Sequence, residues 1–77
     1  MKELVQFIAQ SLVDDPAKVE VNEIEDKGNV RIELRVAKED MGRIIGKGGR
    51  VANSIRVLLR VAAAREGKRV SLDVLEP

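Results

Sequence analysis

"MGRIIGKGGRVANSIRVLL", residues 41–59, places four glycines within its first nine positions and then runs into an apolar pattern of helical period. Glycine inside a helix costs about 0.5–1 kcal/mol relative to alanine, so Gly42, Gly46, Gly48 and Gly49 need a use that offsets the loss. Beyond them Ala52, Ile55, Leu59 and Ala62 follow at intervals of three, four and three. That stripe predicts a longer helix, closing around Glu66 with Gly67 as its C-terminal cap. Upstream, the residues after Ala37 read as a short helical turn ending at Gly46, with Glu39 and Asp40 placed where acids favour a helix N-terminus. The stretch is helix, glycine turn, helix.

Working outward, Val30, Ile32, Leu34 and Val36 alternate with Arg31, Glu33 and Arg35, the period of a half-buried strand. Gly28 and Asn29 supply a turn before it. Val19 and Val21 begin an earlier, less regular strand that continues through Ile24, so the two strands predict a hairpin. Leu4, Val5, Phe7, Ile8, Leu12 and Val13 give residues 2–13 the spacing of an amphipathic helix, stopped by Asp14, Asp15 and Pro16. Val70, Leu72 and Val74 alternate with Ser71 and Asp73 as a last strand. The order is αββααβ, which predicts an α+β fold of two layers, a three-stranded sheet with three helices on one face, in one domain spanning residues 1–77.

Composition narrows the chemistry. The 77 residues contain neither cysteine nor histidine, which removes disulfides, thiol nucleophiles, imidazole bases and the usual zinc ligands. No cofactor, metal or small-molecule substrate is expected. Asp14, Asp15 and Asp26 lie in turn-like contexts and read as capping and solubilising residues, so an enzyme is not expected. No apolar run is long enough to span a membrane and no targeting segment is evident, which makes the cytoplasm the expected compartment. The net charge of +1 conceals an asymmetry: residues 43–69 hold eight Lys or Arg against Glu66 alone. A basic half of this kind suits a polyanion, although charge alone slightly favours a solvated arginine-rich helix face.

Three glycine motifs compete for residues 42–49. A P-loop needs four residues between its first Gly and the Gly-Lys pair, whereas Gly42 and Gly46 enclose three. A dinucleotide fingerprint needs glycine at 51, which is Val51, and a strand before the turn. There remains Gly46-Lys47-Gly48-Gly49, a GxxG turn between two helices. Missing β-carbons there admit a ligand backbone, the amides opening a helix near residue 50 favour an anion, and Lys47 and Arg50 flank the turn as cations. A sugar–phosphate chain suits all three features; a tightly packed helix corner is the plainer alternative.

The stretch "IIGKGGRVANSI" resembles the signature of KH domains, with Ile44 and Ile45 before the turn and Ile55 six positions after Gly49. The element order resembles the prokaryotic type II arrangement, and the resemblance runs from Lys2 to Val74. One departure is Ala52, where many KH domains have Ile. With the "GKGGR" turn and "RVAAAREGKRV", the chain is most similar to the small bacterial KhpA family. The resemblance implies a single-stranded RNA-binding module whose turn clamps the sugar–phosphate backbone. It also implies a homodimer, or a heterodimer with the larger KH protein KhpB, and post-transcriptional or RNA-chaperone work linked to cell shape and division. A protein-interaction module in which nucleic acid is incidental is the alternative.

On that reading the RNA-binding residues are Ile45, Gly46, Lys47, Gly48, Gly49 and Arg50. Arg43, Ile44, Ile55, Lys68 and Arg69 are candidates for the groove or for a basic track. One of Ile44, Ile45 and Ile55 is expected to face a base, with the others in the core. Arg56, Arg60 and Arg65 either extend the track or keep the helix soluble. The only aromatic residue is Phe7 in the first helix, so phosphate contacts and aliphatic burial, rather than ring stacking, are expected to supply affinity.

Overall fold

The period of two in residues 30–36 produces the central strand, and Val30, Ile32, Leu34 and Val36 are all buried. The computed structural model describes residues 1–76, apart from the side chain of Lys47. Helix α1 (Lys2–Leu12) and a 3-10 turn (Pro16–Lys18) precede strands β1 (Glu20–Asp26) and β2 (Asn29–Arg35); a second 3-10 turn (Lys38–Asp40) then leads into helix α2 (Met41–Arg65) and strand β3 (Arg69–Val74). The sheet order is β1-β2-β3, with β1 antiparallel and β3 parallel to β2. Parallel pairing requires a crossover, and α2 supplies it.

Backbone handedness divides α2. Gly48 and Gly49 have φ of +69° and +82°, left-handed values that an L side chain adopts only under strain. They separate a limb at 41–47 from a longer one at 50–65, so with α1 three helical rods lie on one face of the sheet. This is the α+β architecture of the type II KH arrangement. Val5, Ala9, Ile44, Ile55 and Leu59 pack against Val21, Val30, Ile32, Leu34 and Leu72 to form the core. A side chain such as Ile32, fully buried, contributes about 1.5–3 kcal/mol of apolar transfer.

Local chemistry closes the ends of these elements. Gly67 (φ +69°) donates its N–H to the Ala64 carbonyl at 3.1 Å, and Lys68 donates to the Ala63 carbonyl at 2.8 Å. These two bonds satisfy carbonyls that the last turn of α2 would leave open. The irregular part of β1 is explained by its neighbours: Glu23 and Glu25 occupy inward positions, register-paired with Ile32 and Val30. Glu23 accepts from the Lys2 N–H at 3.1 Å, and Glu25 from Lys68 Nζ at 2.9 Å. The apolar stripe of α1 is wider than its contact with the core. Val5 and Ala9 are buried, whereas Leu4, Phe7 and Leu12 are exposed.

Candidate nucleic-acid interface

The glycine turn opens onto free space. A β-carbon built at Gly46 or Gly48 would meet no heavy atom within 4 Å outside its local neighbours, and one at Gly49 would touch only the Asn53 side-chain amide at 3.9 Å. Gly48 and Gly49 therefore meet a backbone requirement, and Gly46 leaves the surface bare. Beside the turn lies a cleft of about 570 Å³ bordered by Ile45, Gly49, Ala52 and Arg56 from α2 and by Asp73, Val74 and Leu75 at the end of β3.

The far wall of this cleft is a strand edge. β3 is the last strand of the sheet; Arg69 donates its N–H to the Gly28 carbonyl at 2.9 Å and Leu75 to the Leu34 carbonyl at 2.8 Å. In a parallel ladder the backbone groups alternate in direction, so residues 69, 71, 73 and 75 face β2. Val70, Leu72 and Val74 consequently turn their N–H and C=O groups toward the open edge. The Leu72 carbonyl accepts from Arg56 Nη2 at 3.1 Å, which ties α2 to that edge.

The candidates read from the sequence separate here. Ile45 is exposed and borders the cleft, while Ile44 and Ile55 are buried in the core and offer a groove no surface. Gly46, Gly48, Gly49 and Arg50 lie at or beside the turn, with Arg50 exposed at the start of the long limb. The side chain of Lys47 lies outside the described residues. Arg43 points toward the α1–β1 loop, its Nη2 2.8 Å from Asp14 Oδ2 and its Nε 3.6 Å from Asp40 Oδ1. Lys68 and Arg69 stand at the opposite end of β3 from the cleft, because register pairs Arg69 with Asn29 and Val74 with Leu34. The hydrogen bond to Glu25 raises the Lys68 pKa above its ordinary value, with the nearby Glu25 and Glu66 charges acting in the same direction.

Three features of the site come from tertiary pairing. Arg31 sits between Glu33 at 3.3 Å and Asp73 at 2.8 Å, so its charge at the cleft rim is compensated. Arg50, Arg56 and Arg60 pair with no carboxylate among the described residues. Asp40, expected to act on the helix dipole, is buried and makes no cap bond. Its two oxygens instead accept the backbone N–H groups of Asp14 and Asp15 at 3.0 and 3.1 Å, fixing the α1–β1 loop to the start of α2.

Among the described residues no helix is long and apolar enough to cross a membrane. The family model for the KH domain of KhpA and KhpB matches residues 2–74. The RNA-binding protein KhpA of Caldanaerobacter subterraneus subsp. tengcongensis is 53% identical over 75 residues, covering 97% of this chain and 100% of the relative. The proteins of the same name from Clostridium perfringens and Aquifex aeolicus are 48% and 45% identical, over 97% and 99% of this chain and 100% and 96% of their own lengths. With a family model that spans nearly the whole chain and full-length relatives of this identity, the chain belongs to the KhpA/KhpB family of KH domains, a non-enzymatic family.

Proposed function

We propose that the protein binds single-stranded RNA by laying the sugar–phosphate backbone across residues 46–49 and its bases in the adjoining cleft. The observation that carries this reading is the bare surface at Gly46 and Gly48, contiguous with a cleft that has an aliphatic floor at Ile45 and Ala52 and a strand edge for its wall. On this reading the left-handed backbone at Gly48 and Gly49 interrupts the helix just before residue 50, a place suited to an anion, and Arg50 and Lys47 act as flanking cations. The names of the relatives agree with an RNA ligand. In the cytoplasm such a module serves as an RNA chaperone or post-transcriptional regulator, and the family resemblance points to cell shape and division as the process served.

The test is retention of a labelled single-stranded RNA by wild-type protein and by a Lys47→Asp, Gly48→Asp double variant, with circular dichroism to confirm folding. The double variant should lose binding, and the wild-type affinity should fall with salt by about 0.7 log units per log unit for each phosphate neutralised. Unchanged retention, or no dependence on salt, refutes the clamp.

A second reading, pairing with another copy or with a larger KH protein, is favoured by an exposed apolar face. Leu4, Leu58, Val61 and Ala62 border a cleft of about 480 Å³, with Arg65 and Glu66 at its rim. Light scattering of wild type and of a Leu58→Glu, Val61→Glu variant tests it: the wild type should be dimeric alone or bind its partner, and the variant monomeric.

A further inference from the structure

Arg56 spans the groove. Its Nη1 donates to Asn53 Oδ1 at 3.0 Å on the helix, and its Nη2 to the Leu72 carbonyl at 3.1 Å on the strand edge. It borders both the 570 Å³ cleft beside the glycine turn and a smaller one, of about 170 Å³, continuing between α2 and β3 toward Arg60 and Ser71. Guanidinium N–H groups point outward within the plane of the group, so partners that hold both terminal nitrogens leave the two flat faces uncovered by those bonds. A side chain held at both ends has also lost much of its rotamer freedom before a ligand arrives. The charge pairs with no carboxylate among the described residues.

Nucleobases splayed from a single strand are held by stacking on aromatic rings or on arginine planes. Here the single ring, Phe7, is 70% exposed on α1 and borders neither cleft. We propose that Arg56 is the stacking platform of the groove, a flat cation on which one base of the bound strand lies while the backbone crosses the glycine turn. This rests on the RNA-binding reading above. Arg56 also covers the Leu72 carbonyl, so a base reaching that point meets the guanidinium rather than a bare acceptor. The contact tolerates any base, since every base has a π-face, and it makes Arg56 a determinant of affinity at one position in the strand.

The experiment is a cycle between protein and ligand. A short single-stranded RNA is made with each base removed in turn, and its affinity is measured for wild type and for Arg56→Lys, which keeps the charge and removes the plane. At one position the missing base should weaken wild-type binding by about fivefold to a hundredfold, the range of base stacking on a protein plane. The same removal should cost Arg56→Lys less than about twofold, with its salt slope unchanged because the charge is kept. Equal penalties in both proteins at every position overturn the platform while leaving RNA binding intact. A wild-type protein that binds no RNA overturns both readings. If Arg56→Lys does not fold, Asn53→Ala takes its place, since it keeps the guanidinium but releases one end. A reduced penalty at the same position supports the platform, and an unchanged one refutes it.

Discussion

Replacing Asp40 with alanine tests how the α1–β1 loop is held to the start of α2. The carboxylate is 2% exposed and accepts the N–H groups of Asp14 and Asp15, with Arg43 Nε 3.6 Å away. Alanine leaves two part-buried backbone donors without partners, at about 1–3 kcal/mol each. Because the loop can relax toward water, the lower half of the range applies, about 2–4 kcal/mol in total. Domains of this length are stabilised by about 4–12 kcal/mol, so the loss is a large part of the whole. At about 4–8 °C per kcal/mol, a loss near 3 kcal/mol lowers Tm by about 12–24 °C. Thermal unfolding followed by circular dichroism measures it. Arg43→Ala is the control, because exposed ion pairs contribute about 0–1 kcal/mol and its shift should be several times smaller. An Asp40→Ala protein melting within about 2 °C of wild type, against that expected loss, would refute the assignment of Asp40 as the anchor of the loop.

Adjacent isoleucines should behave oppositely. Ile44→Ala removes a buried core side chain and should cost about 2–5 kcal/mol, read from urea unfolding, with RNA affinity unchanged in the protein that remains folded. Ile45→Ala should leave stability within about 1 kcal/mol of wild type and weaken RNA binding, measured by fluorescence anisotropy. Lys68 should link stability to alkaline pH. Its folded pKa is raised, chiefly by the hydrogen bond to Glu25, so its contribution is complete below the ordinary lysine value of 10.5 and is lost as pH rises through the higher folded value. The Tm advantage of wild type over Lys68→Met should therefore be constant near neutrality and shrink above about pH 10.5; an advantage that stays flat contradicts the pairing.

The elements were legible because each rests on a local pattern. Alternation in 30–36 suffices for β2, and Gly67 after an apolar stripe suffices for the end of α2. The glycine turn was legible for the same reason, since φ near +70° at Gly48 is a local demand that only a few residue types meet. What could not be read depends on which distant segments meet. Arg43 and Lys68 counted as part of a basic region, yet both are paired with acids, Asp14 and Glu25, that lie 29 and 43 residues away. The place of Arg69 required the parallel register, which sets it against Asn29 at the far end of the strand from the cleft. Asp40 sits at a helix start in sequence, and only the return of the α1–β1 loop shows that its carboxylate serves two amides there.

Helical geometry decides whether the two proposed surfaces compete. At about 100° per residue, Ile55 and Leu59 define the direction of the core on the long limb of α2. Arg56 and Arg60 then point about 100° round the helix from that direction, toward the edge of β3. Leu58 and Val61 lie on the other side, separated from the arginines by about 150°, and both are exposed. The same helix thus turns one face to the core, one to the groove and one to solvent. A partner seated on Leu58 and Val61 leaves the strand edge and the glycine turn uncovered, so pairing and RNA binding are compatible in one assembly. If they are, two grooves joined through the apolar faces bind a long RNA more tightly than two separate copies, since the second contact becomes intramolecular. In a Leu58→Glu, Val61→Glu protein, affinity for a short RNA should then be unchanged while affinity for a long one falls. Equal losses for both lengths would mean that the apolar face and the groove are one surface.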